Sequence, residues 1–147
     1  MTLAFANPVD GILKLVRERV NLDDISLSFD DETLKQYIAY HIIHGNALWT
    51  QDEETEEITG ILIAYECDRD EAGAPFNWVE PNGKNCIYVA QLAAKDEDAR
   101  DTLAQGYLAL FPDEKPTFAT RRGSLVPMNA HKISRELLRK RGSNGGR

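Results

Sequence analysis

Arg121 and Arg122, followed directly by Gly123 and Ser124, are the grouping in this chain with the clearest chemical capacity. At the end of a short strand the three side chains of Arg121, Arg122 and Ser124 would bring two guanidinium forks and a hydroxyl to one anion, with phosphate the natural candidate. The plainer alternative is a salt bridge to the acidic part of the chain. His41 and His44 stand three apart near a helix end. A metal pair on a helix wants i, i+4 spacing or a third ligand nearby, so these two read as stabilisers of the helix's negative end and no metal site is expected. His131, in the first turn of the last helix among positive charges, is expected to be exposed. Asp113 and Glu114 are adjacent acids in a proline-flanked turn, which suits solvated charge better than acid–base work. Phe76 and Trp78 either line a groove or fold onto the sheet as a lid. Cys67 and Cys86 belong to no CxxC or Cys/His cluster, so neither a disulfide framework nor a zinc site is indicated, and both read as core thiols on strands. No nucleophile elbow, phosphate-binding P-loop, HExxH or helix-turn-helix signature is present, and catalytic residues stay unassigned.

The chain that must position these residues has 147 of them, 42% hydrophobic and 28% charged. That is one domain's length and the composition of a chain that folds without a partner. Its net charge of −7 hides an asymmetry: ahead of Lys115 there are 8 Lys/Arg against 23 Asp/Glu, and from Lys115 onward 9 against Glu136 alone. A basic end on an acidic body either meets an acidic or phosphorylated partner or folds back on its own surface. No apolar run approaches the roughly 18 to 20 residues that span a bilayer, and no basic, then apolar leader opens the sequence. A cytoplasmic protein without membrane contact is expected.

The elements follow from periodicity and capping. Asn7 to Val20 reads as a helix with Asn7 as cap, Pro8 at its first position and Ile12, Leu13, Val16 and Val20 in one stripe. A second helix spans about 31 to 44, capped by Asp30 or Asp31 and stopped by Gly45. Residues 25 to 29 alternate as either a strand or an extended connection. Ala47 to Trp49 and Ile58 to Cys67 form a hairpin across the acidic turn 51 to 57. The stretch 68 to 84 is a long loop, and Asn85 to Ala94 is apolar enough for the centre of a sheet. Residues 96 to 110 are helical, with Leu103, Tyr107 and Leu110 facing the core. Thr117 to Arg121 is a short strand, and Asn129 caps a last helix whose apolar face is Ile133, Leu137 and Leu138. The domain therefore covers 1 to 141, with 142 to 147 as a disordered end. The class is α+β: one domain with a mixed, largely antiparallel central sheet flanked by helices.

The order hairpin, long loop, central strand, helix, short strand, helix resembles the core of the GNAT acyltransferase superfamily. Locally the chain is similar to the toxin-activating lysine acyltransferase branch over residues 31 to 141. Trp78, Gly83 and the strand Val89 to Ala94 match places where that branch has Trp, Gly and an I-D-W-I-A-P strand. Phe111, Pro112, Asp113 and Glu114 match its F-P-D-E turn, and Arg121 matches the arginine of the strand that follows. The resemblance implies a GNAT-like fold. The catalytic groups depart from it, since the strand aspartate falls on Ala90 and no histidine precedes His41. Acetyl-CoA-using members seat pyrophosphate on a glycine-rich loop at a helix N-terminus, whereas this chain has AAKDEDARDT there. Asp96, Glu97 and Asp98 stabilise a helix start but repel phosphate.

Two functions are weighed on this reading. The first is a degenerate GNAT-like domain that no longer transfers acyl groups and serves as a binding or structural module for a protein partner, of the kind a mobile element carries as an accessory, with no cofactor. The second is an active acyltransferase taking acyl-CoA or an acyl carrier protein at a diverged site built from Arg121, Arg122, Ser124 and the long loop. The first is preferred because catalytic positions and phosphate loop depart together. A nucleic-acid role would rest on the basic last helix alone and is not expected.

Overall fold

The computed structural model describes residues 8–18, 29–72, 81–121 and 124–145. Its helices are α1 (Pro8–Glu18), α2 (Asp31–Ile43), α3 (Glu97–Leu110) and α4 (Ala130–Gly145), and its strands β1 (Ala47–Gln51), β2 (Ile58–Cys67), β3 (Cys86–Ala94), β4 (Thr117–Arg121) and β5 (Ser124–Met128). The five strands form one mixed sheet in the order β1-β2-β3-β4-β5. β3 is central, and β3 and β4 are its parallel pair, joined by the α3 crossover. The proposed cap Asn7, the end of the first helix at Val20, most of the undecided segment 25–29, and Phe76 and Trp78 lie outside the described residues.

Both faces of the sheet are covered, which is why β2 and β3 read as near-continuous apolar runs. On one face Ile12, Leu15 and Val16 of α1 and Leu34, Tyr37 and Ile38 of α2 pack against Ile61, Ile63, Tyr65, Tyr88 and Ala90. Burying each aliphatic side chain contributes about 1.5–3 kcal/mol. On the other, Leu103, Tyr107 and Phe111 pack with Ala130 of α4 against Leu62, Ala64, Ile87 and Val89. Phe111, 7% exposed, thus supplies the core contact expected of Leu110, which is 38% exposed. α2 is held at both ends by its own sequence. Asp30 accepts from the Thr33 amide at 2.8 Å, and Gly45, at φ 73°, turns the chain so that the Gly45 and Asn46 amides return to the Ile42 and His41 carbonyls.

At the C-terminal end the elements differ from the sequence reading. Residues 124–128 form a fifth strand, so Arg121 and Ser124 close a β4–β5 hairpin as directly opposed residues. Pro127 inside this segment argues against a central strand, but β5 is an edge, where a missing amide donor costs nothing. α4 also runs on to Gly145, past the end expected at 141.

Candidate functional site

β3 and β4 are in register only from Ile87 opposite Thr117 to Val89 opposite Ala119. β3 continues to Ala94 and β4 to Arg121 without further pairing among the described residues. Where they part, β3 carries a bulge: Ile63 faces Gln91 while Ala64 faces Val89, leaving Ala90 as the extra residue. Beside this divergence, between β3, α3 and α4, lies an apolar cleft of about 260 Å³. Val89, Leu92, Leu103, Met128, Ile133 and Leu137 line it, with Arg100 among the few polar contributors. Leu92 on β3 and Ile133 on α4 are 47% and 50% exposed.

Tyr107 of the lining also belongs to a buried polar network. The Tyr107 hydroxyl lies 3.3 Å from Thr117 Oγ1 and 3.5 Å from His131 Nδ1. His131 Nε2 is 2.9 Å from the Phe111 carbonyl. A carbonyl only accepts, so Nε2 carries a proton toward it, while Nδ1 faces the Tyr107 hydroxyl. Burial raises the Tyr107 phenol above its ordinary value, against a smaller opposing effect of the Thr117 hydrogen bond. The phenol therefore stays a neutral donor at physiological pH. His131 is 2% exposed, which corrects the expectation of an exposed ring. α4 packs on α3 through Ala130, His131, Ser134 and Leu137, and that i, i+1, i+4, i+7 stripe was the overlooked signal.

The helix end nearest the divergence is already occupied. Asp96 caps α3 in an extended conformation, and its carboxylate accepts from the Ala99 amide at 2.8 Å. Glu97 and Asp98 fill the first turn. Arg100, the nearest cation in sequence, lies against the buried Asp101 carboxylate, with Nε and Nη2 each 3.2 Å from it. A phosphate arriving here meets three acids, an amide already bonded and a cation already engaged.

Of the proposed anion site, β4 brings Arg121 to the same end of the sheet as the start of α3, and Ser124 stands opposite it and is exposed. Arg122 lies outside the described residues. The basic end of the chain folds partly onto its own acids, with Lys115 on Glu66 and on the Lys84 carbonyl, and Arg135 on Glu114 at 3.0 Å. His44 Nδ1 meets the Tyr40 carbonyl at 2.8 Å at the end of α2, whereas His41 is buried in the core. Cys67 and Cys86 are buried on β2 and β3. Among the described residues no cluster of three or more His, Cys, Asp or Glu could hold a metal ion. No described helix is long and apolar enough to cross a membrane.

No family model matches the chain, and no curated protein matches it.

Proposed function

We propose that this chain is a non-catalytic binding module on an acyltransferase-like scaffold, an accessory protein whose cleft between β3, α3 and α4 receives a partner protein. The observation that carries this reading is the acid-capped start of α3, where the Asp96 carboxylate takes the Ala99 amide that a donor phosphate would need. The cleft beside it is apolar and smaller than the roughly 300–1,000 Å³ typical of small-molecule sites. It has room for one or two apolar side chains of a docked segment. Exposed Leu92 and Ile133 extend the apolar surface beyond the cleft, and exposed Lys140 lies one turn beyond Leu137 on the same stripe of α4. The partner that fits is a segment presenting an apolar anchor with acidic neighbours.

Selection of displayed random peptides against the folded protein tests this. Enriched sequences are expected to pair one large apolar residue with Asp or Glu. Synthetic versions are expected to lose at least about tenfold in affinity for Ile133→Asp, which places a charge in the anchor pocket. Peptides that bind wild type and Ile133→Asp equally would sink the reading, provided the variant's thermal midpoint is unchanged.

The parting of β3 from β4 supports a second reading. An acyl chain delivered by CoA or by an acyl carrier protein would reach the cleft from the strand ends, where Arg121 and Ser124 stand. That reading requires stabilisation by acyl-CoA that Arg121→Ala removes.

A further inference from the structure

We infer that Cys67 and Cys86 form a reversible intramolecular disulfide at the base of the connection between β2 and β3, a modification site independent of the cleft. The two are directly opposite in the antiparallel register, as the last residue of β2 and the first of β3. Opposed residues in such a ladder have Cα atoms about 4.5 or 5.5 Å apart. Both spacings lie inside the roughly 4.4–6.8 Å range that a disulfide bridges without backbone movement. The sulfurs are already 3.9 Å apart, so side-chain rotation is enough to close the bond. Among the contacts that the rotation changes is the weak hydrogen bond from the Cys86 thiol to the Cys67 carbonyl at 3.2 Å.

Just beyond the end of the ladder a side-chain hydrogen bond holds the two strand ends together. Asn85 Nδ2 donates to Asp68 Oδ1 at 2.6 Å, so the two chain ends are fastened side by side immediately outside the cysteines. A pair held this way has a high effective concentration of one thiol at the other, and ring closure is favoured over adducts with solution thiols. Burial of both thiols, 0% and 3% exposed, sets the rate and not the equilibrium. Exchange requires brief local opening of the two strands at the connection end of the pair.

The oxidant is a low-molecular-weight disulfide such as oxidised glutathione. One cysteine thiolate attacks a sulfur of that disulfide, forming a mixed disulfide and releasing one glutathione thiol. The other cysteine, as thiolate, then attacks the protein sulfur of the mixed disulfide and releases the second glutathione. Two protein thiols lose two protons and two electrons, and one small disulfide is reduced to two thiols.

The test equilibrates the full chain in glutathione buffers of graded oxidised-to-reduced ratio, followed by acid quenching, alkylation and intact mass. Native and urea-unfolded samples are compared. Each is approached from reduced protein and from protein oxidised in urea and returned to buffer. Native protein is expected to reach half-oxidation at a ratio about tenfold or more lower than unfolded protein, with a 67–86 linked peptide that dithiothreitol removes. Cys67→Ser and Cys86→Ser are expected to give only glutathione adducts under the same conditions. The inference is overturned if native wild type accumulates adducts or unmodified thiols where the unfolded chain is linked, or if oxidised protein fails to refold.

Discussion

His41 sits at the centre of an aromatic cluster, stacked on Tyr65 at 5.5 Å and edge-on to Tyr37 at 4.7 Å. Asn46 donates to its Nδ1 at 3.1 Å, which puts the proton on Nε2, a buried atom with no hydrogen-bond partner among the described residues. Burial, with a smaller contribution from His44, pushes its pKa down to about 4. The unfolded chain binds this proton near pH 6.5, so the linkage is silent above that value and grows as pH falls to about 4. Stability is expected to drop by about 3 kcal/mol across that window, and His41→Leu to remove most of the drop. Urea unfolding at several pH values checks it, and a variant that keeps the wild-type slope would exclude His41 as the cause. The sequence read His41, like His44, as a stabiliser of the helix end, and its burial in the core corrects that reading. The missing partner for Nε2 did not show there, because it depends on what β2 and β3 bring across the core.

At the scale of elements, close approach decides outcomes that propensity alone would misjudge. A Cβ on Gly11 of α1 would lie 2.4 Å from Ile58 Cγ1 on β2. In an isolated helix Gly→Ala is worth about 1 kcal/mol of stabilisation. Here α1 would have to move off the sheet, and Gly11→Ala is expected to destabilise by about 1–3 kcal/mol instead. A raised denaturation midpoint for this variant would mean that α1 is not seated on β2 as described. Helices α1 to α3, the first hairpin and the central strand were legible because each carries its own period, cap or turn. β5 was not. Arg122 and Gly123 are a two-residue connection of the length that joins hairpin strands, but Pro127 masked the alternation that would have marked the second strand. Missing β5 placed Arg121 and Ser124 along one strand end, where the ladder puts them on opposite strands.

For the molecule as a whole, the layer plan follows from patterning, while the cleft depends on how far two parallel strands stay paired and where α4 comes to rest on α3. Neither is written in local periodicity. Leu92 and Ile133 read as ordinary core positions in sequence, and only their exposure in the assembled fold marks them as a surface. The acid-rich start of α3 was legible, since three acids at a helix start both cap the helix and repel an anion whatever surrounds them. Its consequence for the whole protein is a scaffold that should not hold a CoA-type donor. Thermal melting with acetyl-CoA and longer acyl-CoAs tests this most directly, because a ligand at 100 times its dissociation constant stabilises by about 2.7 kcal/mol. No shift is expected with any chain length for wild type. A saturable rise in midpoint that disappears in Arg121→Ala would contradict the binding-module reading and establish a working donor site.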